Sequence, residues 1–143
     1  MNINQKFYSV WAKENSLYVQ FAKKLGIGYP EMIVLYALTM MDGITQKEIS
    51  ENFGLQKQTV NTVIRNLKQN DYILLEVCKE DKRERSVILT EKGKEYAIRI
   101  TKPVFAAENK VYKIIGNERL IQANETMKLF NLLFEKEIEG NLK

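Results

Sequence analysis

The chain has 143 residues, 45% of them hydrophobic and 28% charged, enough for one small domain with a core of its own. It contains no histidine and one cysteine, which excludes Ser-His-Asp and Cys-His catalysis, His-ligated zinc and any disulfide within the chain. The formal charge of +4 is modest, but residues 56–94 carry nine basic against six acidic side chains, and an excess placed there suits an anionic partner.

The opening MNINQKFYSVWAKENS lacks the apolar stretch and small-residue cleavage site of a secretory leader. The longest apolar run, MIVLYALTMM at 32–41, is far short of the roughly 20 residues that cross a bilayer. Both features predict a cytoplasmic globular protein with no membrane partner.

Phe7, Trp11, Tyr18, Phe21, Ala22 and Leu25 recur at helical spacing and predict a first helix over about 4–25, broken by GIGYP. Pro30 fits the first turn of a second helix, which is apolar nearly all round to Met41 and should be buried. After an Asp42-Gly43 turn, Thr45-Gln46-Lys47-Glu48 reads as a capping box that starts a third helix, and Gly54 ends it. A fourth helix follows over 57–70. Then YILLEVC and ERSVILT, two β-prone runs around KEDKR, predict a hairpin. Thr90 caps the next helix, which runs from Glu91 to Gly116-Asn117 with Pro103 as an expected kink. In the last helix Leu120, Ala123, Met127, Phe130 and Phe134 alternate spacings of three and four, and Leu129, Leu132 and Leu133 widen the stripe beyond one face. Such a helix must be covered, either by the chain's own helices or by a second copy, and terminal helices this apolar favour a homodimer.

The fold class expected is mainly α with a small β-hairpin wing: a winged helix-turn-helix flanked by terminal helices. The fourth helix supports this physically. Val60, Val63, Ile64 and Leu67 would bury one face, while Gln58, Asn61, Thr62 and Arg65 stand on the other. Amides and Arg are the groups able to contact adenine and guanine edges bidentately, and Thr can meet a base or a thymine methyl. An ordinary solvated face would instead mix Glu and Lys. At the hairpin tip every residue from Lys79 to Arg85 is charged. Lys79, Lys82, Arg83 and Arg85 can follow a phosphate backbone, and one extended Arg can enter a minor groove. Asp81 would then pair with Arg83 or Arg85 and hold its guanidinium in one pose. Alternating charge that keeps an exposed hairpin from edge pairing explains the tip, taken alone, equally well.

The run EDKRERSVILTEKG resembles the wing signature of the MarR family: Asp81 and Arg83 before a strand, then Leu89-Thr90, then Gly93 after two more residues. TQKEISENFGLQKQTVNTVIRNLKQNDYI resembles that family's helix-turn-helix, so the likeness covers about residues 30–97. It implies one domain over 1–143, with the winged helix-turn-helix at about 30–97 and dimerisation helices at about 4–25 and 98–138. It implies a homodimeric transcriptional regulator, a ligand-responsive repressor, that binds double-stranded DNA at a near-palindromic operator. The recognition helix would be 57–70, and Arg83, oriented by Asp81, would take the minor groove. The contact set expected is Gln56, Lys57, Gln58, Thr59, Asn61, Thr62 and Arg65 on that helix, Thr45 and Gln46 at the start of the third, and Lys82, Arg83 and Arg85 on the wing. Gln56 stands where the family often has a capping Ser, and Asp71 where it often has Gly, which suggests a different turn.

No enzyme activity, cofactor or metal is expected. Members of the family respond to small phenolic ligands, to thiol oxidation or to metals. Cys78 is the one thiol available, and it reads as a small hydrophobe at the end of the first wing strand rather than a redox sensor. Tyr8, Trp11, Tyr18 and Tyr36 could line a crevice for a small aromatic effector, although aromatics at helical spacing usually belong to a core. The alternative reading of the whole is a winged-helix protein-interaction module without specific DNA binding.

Overall fold

A computed structural model describes residues 1–141. They fall into two units, Met1–Val104 and the chain from Phe105 on.

In the first unit, α1 (Ile3–Lys24) opens with a capping box between Asn2 and Gln5 and ends on Lys23 and Lys24, whose charge suits the negative end of the helix dipole. The chain turns at Gly26 and enters α2 (Tyr29–Met40) with Pro30 in the first turn. As its uniform hydrophobicity requires, α2 is the centre of the core: Met32, Val34, Leu35 and Ala37 have no exposed surface. α3 (Gln46–Phe53) begins on the Thr45 box, with the Thr45 hydroxyl accepting from the Glu48 amide at 3.1 Å and Glu48 Oε2 accepting from the Thr45 amide at 2.8 Å. It ends on Gly54 at φ 67°, a left-handed backbone that glycine adopts without penalty. α4 (Lys57–Gln69) buries Val60, Val63, Ile64 and Leu67 against that core.

β1 (Ile73–Val77) and β2 (Arg85–Leu89) pair antiparallel in the register Ile73↔Leu89 to Val77↔Arg85. The segment before α3 joins the other edge of β2, since the Val87 amide donates to the Ile44 carbonyl at 2.9 Å and Thr45 bridges Ser86. The hairpin is therefore sewn to the start of α3 rather than projecting alone. Cys78 lies one residue past β1 instead of inside it, because Val77 makes the last strand pair and the chain has begun to turn. α5 (Glu91–Ile115) starts with the Thr90 hydroxyl accepting from the Gly93 amide at 3.0 Å, and it buries Gly93, Ala97, Ile100, Thr101 and Val104 along one stripe. Pro103 lies inside it, and the helix continues to Ile115 as one element, as expected.

The second unit holds the rest of α5, a turn at Gly116 with φ 89°, and α6 (Asn117–Asn141). No residue of α6 is buried among those described. Ile121, Leu129, Leu132, Leu133 and Phe134 are each more than half exposed, and the Phe130 and Phe134 rings meet at 5.3 Å. Among the described residues no helix is long and apolar enough to cross a membrane, and no three His, Cys, Asp or Glu side chains gather to hold a metal ion.

Candidate nucleic-acid interface

The buried stripe of α4 fixes what its opposite face presents. With Val60, Val63, Ile64 and Leu67 turned inward, Gln58, Thr62 and Arg65 are exposed and Asn61 is half-buried, so four polar side chains share one outward surface. The Thr62 hydroxyl donates to the Gln58 carbonyl at 3.0 Å, so its oxygen keeps only acceptor capacity toward a partner. Gln56 occupies the cap position with no side-chain cap bond, so its side chain satisfies none of the first amides of α4. Lys57 is exposed beside it and Thr59 half-buried.

α3, α4 and the wing enclose a cleft of about 420 Å³. Gln46, Lys47 and Glu51 line it from α3, Lys57 and Asn61 from α4, and Arg83, Glu84 and Arg85 from the wing, so its basic side chains are interleaved with two carboxylates. Lys47 approaches Glu51 at 4.0 Å, an exposed pair of little energetic weight. The residues expected at the start of α3 divide. Thr45 is buried at 8% exposure with its amide and hydroxyl engaged in the cap, whereas Gln46 reaches the cleft. Thr45 thus sets where α3 begins, and Lys47, absent from the contacts expected from sequence, takes the outward position. The signal was available, because a capping box at Thr45 places the residue two positions on toward solvent in the first turn.

At the wing tip, Asp81 accepts from the Arg83 amide at 3.0 Å and from Arg83 Nε at 3.3 Å. These two bonds, with a smaller contribution from the Lys47 charge, hold the Asp81 carboxyl below its ordinary range. Of the two arginines that could have paired with Asp81, it is Arg83 that does, with 90% of its side chain still exposed. Arg85 Nη1 instead donates to the carbonyls of Lys82 at 2.9 Å and Glu84 at 3.2 Å, folding back over the turn. Lys82 is exposed at the tip.

Asp71 has φ 59°, the left-handed conformation glycine takes most easily and Asp tolerates better than most residues. The aspartate therefore sits in a glycine-type turn, not in the different turn its identity suggests.

The four aromatics expected to line one crevice separate into two kinds. Tyr8 and Trp11 are 66% and 49% exposed on α1 with ring centroids 5.6 Å apart, whereas Tyr18 and Tyr36 are half-buried and pack on the core, Tyr36 edge-on to Phe53 at 6.3 Å.

A family model described as MarR family matches residues 25–84. The HTH-type transcriptional regulator SarZ of Staphylococcus epidermidis is 27% identical over 78 residues, covering 54% of this chain and 53% of that protein, so the chain spans about half the length of this curated relative. A MarR family regulator from Neisseria meningitidis superposes with a TM-score of 0.88 at 28% identity, covering 99% of both chains. The structure of Staphylococcus aureus MepR in a DNA complex shares the fold at 22% identity, with a TM-score of 0.63 over 92% of this chain and 98% of that one.

Proposed function

This chain belongs to the MarR family, and on that premise we propose that it is a sequence-specific DNA-binding transcriptional regulator acting in the cytoplasm as a homodimer. The observation that carries the reading is the outward face of α4, where Gln58, Asn61, Thr62 and Arg65 stand together beside a wing whose exposed Arg83 is held by Asp81. Gln58, Asn61, Thr62 and Arg65 contact base edges in a major groove. Gln46, Lys57, Lys82 and the uncapped start of α4 at Gln56 meet phosphates, with Thr59 at the margin, and Arg83 enters the adjacent minor groove. A dimer presents two such units to a near-palindromic operator and covers the apolar surface of α6. The regulator represses in the absence of its effector, a small aromatic molecule for which the exposed Tyr8–Trp11 pair offers a stacking surface.

Selection of bound fragments from random duplexes, followed by gel shift at two salt concentrations, tests this reading. The expected result is a two-fold symmetric site with half-sites about one helical turn apart, roughly 34 Å. Absence of duplex binding even at low salt would instead favour a winged-helix module that docks a protein through the same polar face.

A further inference from the structure

The joint between the recognition helix and the wing is gripped by the first turns of α5. α4 ends at Gln69, and Asn70, Asp71 and Tyr72 lead into β1. Across from them the Thr90 hydroxyl donates to the Asp71 carbonyl at 2.7 Å, the Thr90 amide to the Tyr72 carbonyl at 3.0 Å, and Lys92 Nζ to the Asn70 carbonyl at 2.9 Å. The Tyr72 ring lies flat on the Tyr96 ring, centroids 4.4 Å apart and planes 12° from parallel. Lys92 Nζ is 5.1 Å from the centre of Tyr72, and the Arg99 guanidinium is 5.2 Å from the centre of Tyr96, so each ring also meets a cation. Tyr96 donates its hydroxyl to Glu31 Oε1 of α2 at 2.7 Å, which anchors the far end of the ring.

Both rings are only half-buried, at the margin of the core. Two flat faces held by a hydrogen bond at one end add something aliphatic packing does not: a defined orientation. What they orient is Tyr72, the residue whose backbone passes directly from the turn after α4 into the wing.

We propose that Tyr96 is a positioning residue for DNA reading: stacked on Tyr72 and tethered to Glu31, it sets the angle between recognition helix and wing, so that the face of α4 and the Arg83 tip meet adjacent grooves together. The inference rests on the DNA-reading function proposed above and extends it to a residue outside the contact surface. With the angle fixed, docking of one element places the other at no further ordering cost, and the two contacts reinforce each other. With the angle loose, each contact must be ordered separately. The loss then falls on the operator, which needs both, and spares random duplex, which is held through phosphates.

The test uses the full chain and fluorescence anisotropy on a selected operator and on random duplex, with Arg65→Ala and Arg83→Ala combined as a double-mutant cycle in each background. In the parent the two losses are expected to be non-additive. Tyr96→Leu should lower operator affinity by about tenfold, change random-duplex affinity less than about twofold and make the two losses additive. Tyr96→Phe, which keeps the stack and loses only the Glu31 bond, should retain most of the coupling. If Tyr96→Leu does not fold, Tyr72→Leu breaks the same stack from the other ring and carries the test. A folded stack-breaking variant with parental coupling, or an equal loss on both duplexes, overturns the positioning role alone. A parent that selects no duplex at all overturns the DNA reading, and that result is obtained before any variant is made.

Discussion

A Cβ placed on Gly93 would stand 1.8 Å from the carbonyl oxygen of Tyr72 and 2.7 Å from its carbonyl carbon. Gly93 lies inside α5 with no left-handed backbone, so the requirement for glycine here comes from the closeness of two backbones. Gly93→Ala should therefore destabilise the fold by about 1–3 kcal/mol or more, since the obstacle is main chain that cannot rotate away. Intrinsic helix propensity would favour Ala by about 1 kcal/mol and loses to the overlap. Gly140→Ala, where nothing lies within 4 Å, is the control and should cost no stability. Urea unfolding of the two variants separates these expectations.

The start of α3 depends on one hydroxyl. Thr45→Ala removes the acceptor of the Glu48 amide in a residue only 8% exposed, and should lower stability by about 1–2 kcal/mol, with Thr45→Ser recovering most of it. Thermal unfolding measures both. An equal loss for Ser and Ala would show that the buried methyl, and not the cap, is what matters.

Local signals were the legible ones. The Thr45 box, the Gly54 stop and the Val60, Val63, Ile64 and Leu67 stripe are set by residues within a turn or two of one another, and each stands where its spacing put it. What could not be read joins distant positions. Tyr96 meets Glu31 across 65 residues, and Gly93 meets Tyr72 across the whole wing. Nothing in local periodicity reports such pairs. The choice between Arg83 and Arg85 as partner of Asp81 was open for a different reason: it depends on how a tight turn aims two exposed side chains. The aromatic spacing of the first helices likewise could not tell the exposed Tyr8 and Trp11 from the core-packed Tyr18 and Tyr36.

Base contacts and phosphate contacts should separate by their salt dependence. Arg65→Ala removes a group suited to guanine and should reduce discrimination at one base-pair position by about 1–3 kcal/mol while leaving random-duplex affinity nearly unchanged. Lys57→Ala should weaken all duplexes alike and lower the magnitude of the log–log salt slope by about one. Titrations at several salt concentrations read both quantities. Identical behaviour of the two variants would contradict the division of roles on α4.

Arg83 and Asp81 give a pH prediction with a definite sign. The folded Asp81 carboxyl is held below its unfolded value, so the interaction is complete above the ordinary carboxylate range and is lost only as pH falls through the lowered folded value. The pair is exposed, so its effect should appear in DNA binding and not in unfolding. Asp81→Asn should leave the Tm unchanged and weaken operator binding several-fold. Between about pH 6 and 8 the parent should show no pH dependence from this group. A lowered Tm in Asp81→Asn would mean that the bond supports the hairpin itself.

The apolar surface of α6 sets the last expectation. Ile121, Leu129, Leu132, Leu133 and Phe134 are each 52–56% exposed, in a helix with no buried residue among those described. At about 25 cal/mol per Å² of apolar area left in water, a stripe of this size drives association unless something covers it. The parent should sediment at twice the 16.7 kDa chain mass. Leu129→Glu combined with Leu133→Glu introduces like charges at i and i+4 on that surface and should give a monomer with the helical content retained. Because a monomer reads one half-site, its operator affinity should fall far more than its random-duplex affinity. A parent that sediments as a single chain at micromolar concentration would remove the dimer from the proposed function, and the two-fold operator with it.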